Sequence, residues 1–120
     1  MRYLSVLFAN QPDTPPPPEL FEAIMTLGQE ATAAGVMLDM GGLLPHTRTD
    51  VTVQSEGLSI IDGPFTETKE LVSYVVYEVR SKQDVVEWIR RFMDVHRGLW
   101  PGWTGTSQIV QVMTGGEPPA

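Results

Sequence analysis

Apolar and polar residues alternate from Tyr3 to Phe8, which puts Leu4, Val6 and Phe8 on one face and predicts a strand. Asn10 to Pro18 is a loop closed by four prolines, a run that favours extended polyproline geometry. The period then changes. Leu20, Ile24, Leu27, Ala31 and Ala34 recur at helical spacing and predict a helix over Glu19–Ala34 with one buried stripe. Pro18 suits its first turn, where a missing N–H costs little. Glu19 and Glu22 suit the positive end of its dipole, and Gly35 is placed to stop it in a left-handed turn.

Val36 to Met40 predicts a second strand, with a bulge or bend at Gly41-Gly42. Val51–Gln54 and Leu58–Ile61 flank Ser-Glu-Gly and read as a hairpin. Gly63-Pro64 then breaks the chain. Leu71 to Val79 is rich in Val and Tyr and almost wholly apolar, the pattern of a central strand. Ser81 with Asp84 three residues on marks a helix start, and Val85, Trp88 or Ile89, and Phe92 supply that helix's buried face. Ser107 to Met113 is a last strand, and the Gly- and Pro-rich segment 114–120 reads as a flexible tail after a single domain over 1–113. Without the hairpin, the order is βαββαβ. The expected fold class is therefore α+β, ferredoxin-like, with an inserted β-hairpin.

Composition narrows the function classes. At 120 residues one domain is expected, large enough to fold unaided. The net charge of −7 argues against nucleic acid and anionic membrane surfaces as partners. Six of the eight basic residues do lie between Lys69 and Arg97, where a solvated helix face accounts for most of them. The absence of cysteine removes disulfides, thiolate catalysis and cysteine-based zinc sites, and fits a cytoplasmic protein. The opening MRYLSVLFAN does not read as a leader, and no apolar run nears the ~20 residues that span a bilayer.

Candidate chemistry is confined to a few loops. In Asp62–Glu70, DGPFTETKE, Asp62 either accepts backbone N–H bonds in an Asx-type turn or faces a cavity and handles a proton. Phe65 either plugs the core or walls a pocket; Glu67, Lys69 and Glu70 are solvated charges, a local salt-bridge set or ligand contacts. His46 lies in GGLLPHTRTD beside Arg48 and Asp50, either a general base oriented by a carboxylate or a surface histidine. His96 lies at the end of the second helix, either a further base or a partner of the helix dipole. Trp100 and Trp103 bracket Pro101-Gly102 and either cap the core, seal a dimer interface or line an apolar pocket. The methionines read as core filler. Two histidines fifty residues apart form no recognised metal-ligand spacing, and neither a phosphate-cradling loop nor a nucleophile elbow is present, so no cofactor and no metal are expected.

DGPFTETKE resembles the signature of the DGPF domain family, a branch of the YCII-related proteins. AAGV, GGLLP, SYVVYEV and HRGLWPGWTGTSQIVQV extend the resemblance over most of the chain. The resemblance implies a ferredoxin-like fold that pairs through its sheets into a dimeric α+β barrel. Some YCII-like proteins resemble small lyases in which a histidine on the first helix and an aspartate do acid–base work. Here the first helix has no histidine, while Asp94 could stand for the aspartate. Catalysis would then fall to His46, Asp62 or His96, with Phe65, Lys69, Tyr74, Trp100 and Trp103 contacting substrate. The resulting expectation is a homodimeric, cofactor-independent enzyme that abstracts a proton from a small, partly apolar organic molecule. The alternative is a non-catalytic dimeric module that binds a small molecule or a protein.

Overall fold

A computed structural model describes residues 1–67 and 69–115, so Thr68 of the DGPFTETKE loop and residues 116–120 of the expected tail lie outside the described residues. The chain is α+β. Six strands run in chain order as β1 (Arg2–Asn10), β2 (Met37–Gly42), β3 (Thr49–Gln54), β4 (Gly57–Asp62), β5 (Glu70–Glu78) and β6 (Thr104–Val112), with helices α1 (Pro18–Ala33) and α2 (Lys82–Leu99). Four strands form one antiparallel sheet in the order β2-β5-β1-β6, and β3 and β4 form a separate two-stranded sheet.

Both helices lie on one face of the four-stranded sheet. On β1 the buried residues are Tyr3, Ser5, Leu7 and Ala9, while Leu4, Val6 and Phe8 are half-buried on the face that no helix covers. Two core clusters sit under the helices. One gathers Tyr3, Tyr77, Ala31, Val85 and Ile89; the other gathers Leu7, Ala9, Leu20, Trp100 and Trp103.

The helix boundaries follow from their end chemistry. Ser81 Oγ accepts the Asp84 N–H at 3.2 Å and caps α2. Gly35, at φ +73°, ends α1, and the N–H groups of Ala34, Gly35 and Val36 bond back to Glu30, Thr32 and Ala31. The buried stripe of α1 is shorter than its spacing predicts: Leu20, Leu27 and Ala31 are buried, but Ala34 is the exposed C-cap.

Gly41-Gly42 does not bend the chain. It continues β2, and the register irregularity falls earlier, between Met37 and Asp39. Gly41 is needed for a close approach instead, since a Cβ there would stand 2.6 Å from Cε1 of Tyr74. The last strand starts at Thr104 rather than Ser107, because it pairs with β1 along the whole length from Arg2↔Val112 to Asn10↔Thr104. The hairpin turn contracts to Ser55-Glu56, with Gly57 already paired to Gln54.

The β3–β4 arm stands away from the sheet. Val51 faces Ile60 and Val53 faces Leu58, so one side of the arm is aliphatic, and these four are 62, 65, 77 and 61% exposed respectively. The radius of gyration, 16.5 Å, exceeds the ~13.6 Å of a compact chain of this length. No helix among the described residues is long and apolar enough to cross a membrane.

Candidate functional site

The last turn of α2 carries the most chemically loaded side chain of the structure. Val85, Ile89 and His96 are its buried positions, and this spacing drives a histidine into the space beneath the helix. His96 is only 6% exposed. Its Nδ1 lies 2.8 Å from the carbonyl oxygen of Phe92, which can only accept, so the ring proton sits on Nδ1 and Nε2 carries a lone pair. Phe92 meets the imidazole edge-on at 4.7 Å between centroids, and Trp103 lies against it at 4.5 Å. Burial pushes the His96 pKa below its usual 6.5, against the smaller opposing effect of the Phe92 carbonyl.

Beneath His96, a cavity of 340 Å³ opens between the sheet and the helices. Its sheet side carries Ser5, Ser73 and Ser107 from three neighbouring strands. Leu7 pairs with Ser73 on one side and Ser107 on the other, so those two serines are about 10 Å apart, two strand spacings. Ser5 lies two residues along β1 and is 3% exposed. Among the described residues, no side-chain nitrogen or oxygen is both sealed from solvent and unpaired. Nε2 of His96 and the Ser5 hydroxyl have no hydrogen-bond partner among those residues, so both are open to solvent-accessible space, and the cavity they line supplies it. Ser107 makes a 3.2 Å contact to the sulfur of Met93. Phe21 and Met40 line the cavity yet remain 54 and 46% exposed, marking its mouth between α1 and the edge strand β2.

The other expected site residues are distributed around the molecule. Trp103 lines the cavity with His96, whereas Trp100 caps the core and donates its indole N–H to Thr14 Oγ1 at 3.2 Å. Tyr74 is among the residues that border the cavity. Its side chain is on the opposite face of the sheet, where the hydroxyl donates to Asp39 Oδ2 at 2.9 Å, a bond that raises the Tyr74 pKa. Asp62 closes the arm as the cross-strand partner of Thr49, accepting its hydroxyl at 2.6 Å. Lys69 is exposed just before β5. Asp94 is held by Arg90 at 2.8 Å and Arg97 at 3.2 Å on the surface of α2.

His46 sits in a single 3₁₀ turn, Pro45–Thr47, beside a second cavity of 500 Å³ that also involves Phe65, Arg48 and Phe8. Here the DGPF loop folds against the 3₁₀ turn. Gly63 N–H donates to the Arg48 carbonyl at 3.0 Å, and the Arg48 guanidinium lies 4.1 Å above the Phe65 ring. Arg48 donates to both oxygens of Asp50 at 2.8 Å and to Glu67 at 2.6 Å. These bonds raise the Arg48 pKa and lower that of Asp50. With two carboxylates engaging its donors, Arg48 braces the loop. The three expected proton-handling groups are therefore apart: His96 is under α2, His46 is in the second cavity and Asp62 is at the arm's base.

Reading the sequence alone passed over the serines. Ser5 and Ser73 interrupt strands that are otherwise apolar on both faces, and a small polar residue in such a strand is the available signal for a polar group aimed at enclosed space. Among the described residues, no three His, Cys, Asp or Glu side chains gather as a metal-binding group. No protein-family model matches this chain, and no curated protein matches it either.

Proposed function

We propose that this chain is a small cofactor-independent acid–base enzyme of the DGPF/YCII-related kind, with His96 as the base. It takes a proton from a compact, partly apolar molecule, and elimination, isomerisation or cyclisation follows. The observation that carries this reading is the His96 imidazole: buried, held in one tautomer by the Phe92 carbonyl, and presenting an unprotonated Nε2 to a cavity. Serine hydroxyls across that cavity are suited to an oxygen on which negative charge grows as the proton leaves. General base catalysis contributes about 10²–10⁴-fold, and the enclosing walls would add positioning.

The test needs no knowledge of the natural substrate. In D₂O, 2-tetralone, a neutral bicyclic ketone with acidic C–H bonds, is followed by proton NMR. The protein should speed deuterium uptake over buffer about 100-fold or more. His96→Gln, shown to be folded by circular dichroism, should lose that acceleration. Equal uptake with and without His96 rejects the assignment.

The same reading includes a homodimer built on a ferredoxin-like sheet. Supporting it are the strand order β2-β5-β1-β6 and a sheet face that carries Leu4, Val6 and Phe8 with no helix over it. The aliphatic side of the arm adds a second surface for a partner copy.

A further inference from the structure

The lining of the His96 cavity is unusual in what it omits. Among the described residues it contains no Asp, Glu, Lys or Arg, although the whole chain has 23 such residues, 8 basic and 15 acidic. Among the described residues, the titratable groups along it are His96 and two tyrosines. Burial keeps His96 neutral near pH 7 and pushes Tyr77 up to about 12, so Tyr77 is neutral too. The Tyr74 side chain is on the other face of the sheet. A charged ligand placed here would leave water without finding a countercharge, and an apolar site does not repay that desolvation.

What the lining does offer is specific. Nε2 of His96 is an acceptor that needs a donor, and the serine hydroxyls both donate and accept. His96 and Ser5 are more than nine-tenths buried, so their polar atoms are not ordinary surface groups. Leu7, Ile24, Phe92 and Trp103 form apolar walls between them. The volume of 340 Å³ is at the small end of the ~300–1,000 Å³ typical of ligand pockets.

We propose that this cavity selects an uncharged, mostly apolar ring compound carrying a hydroxyl, phenolic or enolic, that donates to Nε2 of His96. This rests on the assignment of His96 as the base and names the class of molecule it would act on. Carboxylates, phosphates and ammonium compounds of the same size are rejected. In the second cavity the charge of Arg48 is already matched by Asp50 and Glu67.

The experiment compares 2-naphthol with 2-naphthoate, which share a bicycle and differ in charge. Binding is measured by calorimetry at pH 7.5 on the full chain. The ¹⁵N resonances of the imidazoles are recorded in parallel, with exposed His46 as the internal reference. Expected are binding of 2-naphthol, at least tenfold weaker binding of 2-naphthoate, and a shift of the His96 Nε2 signal on 2-naphthol addition alone. Equal or tighter binding of 2-naphthoate overturns the proposal, as does binding that leaves His96 unmoved, or no binding by either compound. Selective 2-naphthol binding at His96 without deuterium uptake by 2-tetralone would keep the ligand class and remove the catalytic role.

Discussion

At the scale of single residues, His96 shows two physical effects in competition. A histidine at a helix C-terminus gains about 0.3–1 kcal/mol from its positive form. Here burial among Phe92, Trp103 and the cavity walls outweighs that gain, and the neutral form is held. The sign of the pH dependence follows. The unfolded chain takes up the proton at about 6.5, and the folded chain only at lower pH, so stability is full above 6.5 and falls as pH drops below it. Asp50 and Glu87 also favour the folded state at higher pH, but their lowered values place that effect below their usual 3.8 and 4.5. Urea midpoints should therefore rise with pH up to about 6.5, and His96→Phe should flatten that rise while leaving the more acidic one. A variant with the same slope between pH 5 and 6.5 would show that His96 is not held neutral by folding.

Among the secondary-structure elements, β6 positions the cavity wall. A Cβ at Gly105 would stand 2.7 Å from Cη2 of Trp103 and 3.0 Å from the Phe8 carbonyl oxygen, so the indole rests directly on the strand backbone. Gly105→Ala should cost about 1–3 kcal/mol by overpacking, measured by urea denaturation. It should also turn Trp103 away from His96, read as a change in near-ultraviolet circular dichroism. An unchanged stability and spectrum would mean that the indole does not need this approach. The elements were legible wherever local chemistry is decisive: Ser81 and Asp84 at the start of α2, Gly35 after α1, the Val- and Tyr-rich β5. The choice of inward face on β1 was not legible. Leu4, Val6 and Phe8 are the more apolar set, yet Tyr3, Ser5, Leu7 and Ala9 meet the helices, so alternation alone does not say which face is covered. That ambiguity also hid Ser5. His96 was identified as a candidate, but its cavity is built from residues on two helices and four strands whose meeting depends on register.

For the whole molecule, the arm is where the proposed dimer can be tested. A lone two-stranded hairpin is marginal in water, and this one exposes Val51, Val53, Leu58 and Ile60 on one side. Covering that side with a second copy would stabilise both. Val53→Lys together with Ile60→Lys should shift the mass in light scattering from dimer to monomer at micromolar concentration. A dimer that survives both changes would place the interface elsewhere, on the open sheet face.

The pairing of Gly42 with Ser73, supported by the Leu43 N–H bond to Val72, means that β2 and β5 meet at the point where the arm leaves and returns. Leu43 and Val72 thus stand at the two ends of one long insertion in a hairpin. Closing such a loop costs entropy that grows with the logarithm of its free length. The arm zips from its own two-residue turn, Ser55-Glu56, up to Thr49↔Asp62, and so removes about half of that length before β2 finds β5. The saving is about 0.6 kcal/mol in the search for register. An element that contributes almost nothing to the core of its own chain thereby shortens the route by which the edge strand, and the mouth of the cavity with it, comes into place.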